Sequence, residues 1–137
     1  MKIVILNVKY SANLGDGAIA ECLEAQLSQA LPNSNISSLD VGGMTDFGEG
    51  GSIVGKKIAL TRYLSFLPLP LQSHIKTLLM PLLVRNRYSG RWRKQLYACD
   101  AIIIGGGHLF MDVDNYFPSR ILTAVAASKK GTPLFVH

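Results

Sequence analysis

Apolar residues recur in two rhythms along this chain, and the alternation between them predicts its architecture. Lys2–Val8 contains the β-branched run Ile3-Val4-Ile5-Leu6 before the chain turns polar, which reads as a buried strand. Ile19, Leu23, Leu27 and Leu31 then recur at every fourth position, the spacing of one apolar helix face, and Pro32-Asn33 closes that helix. Asn13 or Asp16 can cap its start, and the acid three residues after Asn13 gives a capping-box pattern. Ile36–Val41 reads as a second strand, followed by the glycine-rich loop Gly42–Gly55. Lys56–Leu67 and Ser73–Val84 read as helices parted by Pro68-Leu69-Pro70, and Ser89–Ala98 as a basic helix capped by Ser89. Asp100–Ile104 ends in a continuous apolar run, the pattern of a central parallel strand. Ser119–Lys129 reads as helical, and Gly131-Thr132-Pro133 turns the chain into the strand Leu134-Phe135-Val136.

The order strand, helix, strand, helices, strand, helix, strand predicts an α/β fold. Its form is a Rossmann-like parallel sheet with helices on both faces. A length of 137 residues fits one domain, spanning 1–137, and no internal repeat divides it. The last strand reaches His137 with no loop or helix after it. The expectation is therefore an N-terminal domain incomplete at its C-terminus, part of something longer. An unpaired final strand and an uncovered sheet edge would favour a homo-oligomer.

With 48% hydrophobic and 17% charged residues, global disorder is excluded. The net charge of +5 is concentrated in Arg85, Arg87, Arg91, Arg93 and Lys94. Such a cluster attracts phosphate, anionic sugar, nucleic acid or anionic lipid, or is a solvated helix face. Tyr88, Trp92 and Tyr97 interleave with it and could stack bases. No nucleic-acid-binding signature accompanies them, so nucleic acid is not the expected partner. Cys22 and Cys99 form no CxxC pair and read as small buried hydrophobes in a reducing compartment. The N-terminus shows no signal-peptide pattern, which points to the cytoplasm. Tyr63–Val84 is apolar, but Pro68, Pro70, Gln72, His74, Lys76 and Pro81 make it a poor spanning helix. An apolar stretch followed by a basic one is nonetheless the composition of contact with a membrane surface, here its inner face.

Two glycine loops carry the candidate chemistry. Asn13-Leu14-Gly15-Asp16-Gly17 follows the first strand, and Gly105-Gly106-Gly107 directly follows the strand ending at Ile104. In open α/β sheets ligands bind beyond the carboxyl ends of the strands, so the two loops predict one shared cleft. Asp16 can accept a substrate hydroxyl or act as a base, or can simply cap the helix. The glycine triplet lets a substrate approach the backbone closely. It matches neither G-x-G-x-x-G nor a P-loop, which disfavours a nicotinamide dehydrogenase or an NTPase. His108 is a candidate acid or base, or a structural histidine. Asp112 and Asp114 could hold hydroxyls or cap the next helix. His74, His108 and His137 are scattered and no Cys/His cluster exists, so no metal is expected.

These residues resemble a known family. Ile5-Leu6-Asn7, Asn13-Leu14-Gly15-Asp16 with Ala18-Ile19 opening a helix, and Asp100 through Gly107 with Leu109 and Asp112 are similar to the polysaccharide pyruvyl transferases. An N-x-G-D loop and a later D, apolar run, GGG, x-apolar-x-x-D segment recur there in this order. The resemblance covers both ends of the chain and not Gly42–Ala98. It implies the N-terminal half of a two-domain fold similar to GT-B glycosyltransferases, with the active site between the domains. The implied reaction moves the enolpyruvyl unit of phosphoenolpyruvate, a donor substrate rather than a cofactor, onto a sugar. The acceptor would be a sugar or lipid-linked saccharide of an exopolysaccharide or cell-wall polymer.

In that family the strand corresponding to Leu134–Val136 leads into a second domain with most of the phosphoenolpyruvate-binding residues, and this chain has none of it. The resemblance carries over Asn13, Gly15, Asp16, Gly105, Gly106, Gly107 and Asp112 as an acceptor-side wall. Asp16 and His108 are the candidate catalytic groups. The motif does not extend to Arg85–Lys94. On physical grounds Arg91 and Arg93 could meet the phosphate or pyrophosphate of a lipid-linked sugar. A half-cleft by itself is expected to lack turnover. The alternatives are a non-catalytic carbohydrate- or anion-binding remnant and a fragment of a nucleotide-sugar glycosyltransferase.

Overall fold

A computed structural model of the chain describes residues 1–47, 68–105, 109 and 116–137. In chain order the elements are β1 (Lys2–Asn7), α1 (Leu14–Ala30), β2 (Asn35–Asp40), α2 (Leu69–Leu96), β3 (Ala101–Ile104), α3 (Tyr116–Ala127) and β4 (Leu134–Val136). The four strands form one sheet in the order β2-β1-β3-β4, and every pairing is parallel. Lys2 through Asn7 pair with Asn35 through Asp40 on one side of β1, and Ile3 through Leu6 pair with Ala101 through Ile104 on the other. The Rossmann-like α/β expectation is met.

This strand order distributes the helices. The chain leaves β1 for β2 on one side, then returns past β1 to β3. Right-handed crossovers in opposite directions place their helices on opposite faces of the sheet. The pleat of β1 shows the same division. Val4 and Leu6 join Ile102 and Ile104 in a core with Val84, Tyr88, Trp92 and Leu96 of α2 and Ile121, Ala124 and Ala127 of α3. Ile3 and Ile5, on the alternate pleat, are buried on the side of α1. β4 pairs with β3 and forms one edge of the sheet, with Leu134, Phe135 and Val136 all exposed.

Several sequence expectations change. Of the expected face of α1, Leu23 is buried and Leu27 and Leu31 are half-buried, but Ile19 is not part of it. Ile19 is 50% exposed, and the buried residues of α1 are Asp16, Gly17, Ala20 and Leu23. The small residues Gly17 and Ala20 let the helix lie close to the sheet, a requirement that a search for large apolar side chains overlooks. Cys22 is exposed on this helix, whereas Cys99 is buried and donates its thiol to the Leu96 carbonyl at 2.9 Å.

The helices expected at Ser73–Val84 and Ser89–Ala98 are one continuous helix, and Ser89 is interior to it rather than a cap. Pro68-Leu69-Pro70 is its start, with a proline in the first turn, where no helical hydrogen bond is lost. Val84, Tyr88, Trp92 and Leu96 explain the continuity. They form one buried stripe at four-residue spacing, and it runs straight through the expected gap. Burial of a large apolar side chain contributes about 1.5–3 kcal/mol, more than the roughly 1 kcal/mol that a helical Gly90 costs. The helix expected at Lys56–Leu67 lies outside the described residues.

Candidate functional site

The switch in strand order falls between β1 and β3, where the chain leaves the sheet toward opposite faces. The carboxyl ends of these neighbours define the crevice in which an open α/β sheet takes its ligand. The Gly105 amide donates to the Leu6 carbonyl at 3.1 Å, so the glycine loop begins level with the end of β1. A side chain at Gly105 would be tight: a Cβ there would lie 3.0 Å from Cδ2 of Leu23 on α1 and 3.1 Å from Cβ of His137, so both neighbours would have to shift slightly. Glycine at this position leaves space for the Leu23 side chain of α1 beside the end of β3. Through the β1–β3 pairing Gly105 stands at the carboxyl end of β1, the strand that leads into the Asn13–Gly17 loop. Gly106, Gly107, His108, Asp112 and Asp114 lie outside the described residues.

Asn13 is the N-cap of α1. Its Oδ1 accepts the Gly15 amide at 3.1 Å, and its carbonyl accepts the Asp16 amide at 3.1 Å. Asn13 and Gly15 are exposed, while Asp16 is buried in the first turn. Of the two cap candidates, Asn13 fills the role, and Asp16 adds negative charge where the helix dipole favours it.

The strand-to-helix loop is braced from below. Asn7, fully buried at the end of β1, donates Nδ2 to Ser38 Oγ at 2.6 Å and accepts the Lys9 amide on Oδ1 at 3.2 Å. Lys9 Nζ meets Glu24 Oε2 at 2.7 Å, and this hydrogen bond raises the lysine above its ordinary value. Gly17 lies under the loop, where a Cβ would come within 3.0 Å of the Lys9 carbonyl oxygen.

Two side chains central to this edge were missed by sequence reading. Asp40, at the end of β2, is buried and accepts the Tyr10 amide on Oδ2 at 2.8 Å. Burial pushes its carboxyl above the ordinary value, against the opposing pull of the Tyr10, Gly42 and Met44 amides and of Arg120. Arg120 of α3 is 1% exposed. It donates Nη1 to the Val41 carbonyl and Nη2 to the Tyr88 hydroxyl at 3.0 Å. No motif announces either residue, because an Asp at a strand end and an Arg in a helix both read as surface charges. His137, set aside as scattered, is brought beside Gly105 by the pairing of β4, and its amide donates to the Ile104 carbonyl at 2.9 Å.

The basic cluster does not act as one patch. Arg91 faces the β2 side of α2, lining a cavity of about 150 Å³ with Tyr10, Ser38, Asp40 and Gln95. Arg93 faces α3, lining a groove of about 610 Å³ with Arg85 and Tyr97. Two residues apart on a helix, they point about 200° around the axis from one another. Tyr88 and Trp92 are buried and stacked, with centroids 4.8 Å apart, so they offer no platform for bases. Among the described residues no group of His, Cys, Asp and Glu comes together that could hold a metal ion. Among the same residues no helix is long and apolar enough to cross a membrane.

The edge thus carries a capped helix N-terminus, a closely surrounded glycine and, at the end of β2, the buried carboxyl of Asp40. Such features are suited to close approach of a polar ligand to the backbone. Comparison with known proteins agrees with the order of the motifs. A family model described as polysaccharide pyruvyl transferase matches residues 13–137. No curated protein and no solved structure matches the chain.

Proposed function

From the premise that this chain belongs to the polysaccharide pyruvyl transferase family, we propose that its sheet edge is the acceptor wall of a transferase. The enzyme forms a pyruvate ketal on a sugar from phosphoenolpyruvate. The observation that carries this reading is the parallel pairing of β1 with β3, which sets Gly105 level with Leu6 at the end of the strand that leads into the Asn13–Gly17 loop. It puts the two family motifs on neighbouring strand ends, where a sugar can reach backbone groups from both.

The chemistry sets the demands on the site. Two sugar hydroxyls form bonds to C2 of the enolpyruvyl unit, and the bond from C2 to the phosphate oxygen breaks. The methylene carbon takes one proton, and the second hydroxyl proton leaves with inorganic phosphate. Asn13 and the exposed Gly15 backbone would bind the acceptor, and Asp16 would orient it or accept a hydroxyl proton. His108 remains the candidate acid. Arg91, beside Asp40 and Tyr10, suits a phosphate arriving at the β2 side of the edge.

The resemblance to GT-B enzymes would set a second domain across this edge to hold the phosphoenolpyruvate phosphate and carboxylate. The acceptor would belong to an exopolysaccharide or cell-wall polymer, and the reaction to the cytoplasm, where phosphoenolpyruvate is made. The test uses the product of the native gene with phosphoenolpyruvate and candidate saccharides. Phosphate release should be matched by the mass increment of one ketal per acceptor, and Asp16→Asn should abolish both while leaving the circular dichroism unchanged. Consumption of a nucleotide sugar instead, or full activity in Asp16→Asn, would overturn the reading.

A further inference from the structure

Charge is unevenly divided between the helices on the two faces of the sheet. α1 contains Asp16, Glu21 and Glu24 and no lysine or arginine. α2 contains Lys76, Arg85, Arg87, Arg91, Arg93 and Lys94 and no acid, and α3 beside it has no acid either. Arg85, Arg87, Arg91, Arg93 and Lys94 are all exposed. Their charge is therefore not neutralised within either helix, and the sheet separates it from the acids of α1.

Large apolar side chains stand among these cations. Leu82 is 56% exposed, Tyr97 56% and Leu122 70%. Tyr97 and Leu122 line the same groove of about 610 Å³ as Arg85, Ser89, Arg93 and Thr123. Leu82 precedes Arg85 by three residues and so continues the same ridge of α2. An exposed strip of leucines and a tyrosine flanked by arginines is what an interfacial surface presents to lipid: apolar groups enter at headgroup depth and cations meet phosphates.

We propose that the outer face of α2 and α3 docks on a membrane containing anionic phospholipid, with Leu82, Tyr97 and Leu122 inserted and Arg85 and Arg93 at the headgroups. The charge asymmetry favours this orientation, because the cluster of exposed cations lies on α2 while α1, with Glu24 bridged to Lys9 and Asp16 buried, offers the lipid no attraction. Nucleic acid fits this face less well. Of the three aromatic residues in the stretch only Tyr97 is exposed, and exposed leucines add nothing to phosphate contact. The surface differs from the sheet edge that holds Asn13 and Gly105, so binding here needs no turnover to be seen.

The experiment is co-sedimentation of the full chain with vesicles of phosphatidylcholine alone or with about 30% phosphatidylglycerol, at low and high salt. The expected result is binding to the anionic vesicles only, weakened by salt. Arg85→Glu with Arg93→Glu should weaken it by about tenfold or more. Leu122→Ser should remove the part that survives high salt, whereas Glu21→Lys on α1 should not weaken binding. All four positions are exposed, and circular dichroism checks that each variant folds. Equal binding to both vesicle types, or none, would overturn the proposal. So would unchanged binding of the double arginine variant. Displacement of vesicles by duplex DNA at equal phosphate would reassign the face to nucleic acid. A dimer in sedimentation equilibrium that the arginine reversals break would reassign it to a second copy of the chain.

Discussion

Arg120 and Tyr88 hold each other through both the hydroxyl and the face of one ring. The guanidinium donates to the tyrosine hydroxyl at 3.0 Å and its carbon lies 4.7 Å from the ring centroid. The pair joins α3 to α2, and Nη1 reaches on to the Val41 carbonyl just past β2. Arg120→Met removes a buried cation and leaves these acceptors and Asp40 without it. The expected loss is about 3–5 kcal/mol in urea denaturation. Tyr88→Phe keeps the ring and loses only the hydroxyl acceptor, for about 1.5–3 kcal/mol. If Arg120→Met is no worse than Tyr88→Phe, the guanidinium is not organising this corner.

Asp40 should make stability depend on pH in a defined sense. Its folded value is raised by burial, so the unfolded chain releases this proton more readily. As pH rises through the ordinary carboxylate range, ionisation therefore favours the unfolded state, and above the folded value the cost is fully present. Asp40→Asn removes that cost and can still accept the Tyr10 amide. Denaturation midpoints of the variant and the parent should shift in the variant's favour between acid and neutral pH. A difference that stays flat or runs the other way would count against a buried, reluctantly ionised carboxyl.

Two glycines should respond oppositely to alanine. Gly43 has φ +80°, and a Cβ there would lie 2.6 Å from Cε1 of Tyr88. Gly43→Ala adds left-handed strain to a clash with a ring already fixed by Arg120 and Trp92, for a loss of at least about 2 kcal/mol. Gly90 is interior to α2, and a Cβ there meets nothing within 4 Å. Gly90→Ala should therefore stabilise by about 1 kcal/mol. Thermal melting of both variants is enough to check the pair of signs.

The Lys9–Glu24 bridge ties the loop after β1 to α1, with side chains 17% and 26% exposed. A double-mutant cycle with Lys9→Met and Glu24→Gln should give a coupling of about 0.5 kcal/mol. Lys9 is raised by its hydrogen bond to Glu24. The contribution is therefore complete below the ordinary lysine value of 10.5 and lost as pH rises through the folded one. Coupling that persists under strongly alkaline conditions would mean that charge is not its source.

Local patterns carried the strands, their parallel order and the glycine loops. β1, β2, β3 and β4 fall within a residue of their expected bounds, because a short β-branched run flanked by turn residues has few other uses. The sheet edge was legible as a candidate ligand site for the same reason, since topology follows from element order. What local patterns misread was the identity of the buried side chains. Tyr88 and Trp92 look like aromatics set among arginines and are core. Ile19 looks like core and is half exposed.

Sequence alone determined the α/β class, the position of the N-x-G-D and glycine loops at strand ends, and the family to which they belong. Tertiary structure decided which charges are buried. Asp40 and Arg120 are 80 residues apart in the chain. Each becomes an interior ion only when β2, α2 and α3 close around Val41 and Tyr88. It also gathered His137 to Gly105. The reason is one of range. Periodicity reports which way a side chain points from its own element, whereas burial and pairing depend on what another element brings to meet it.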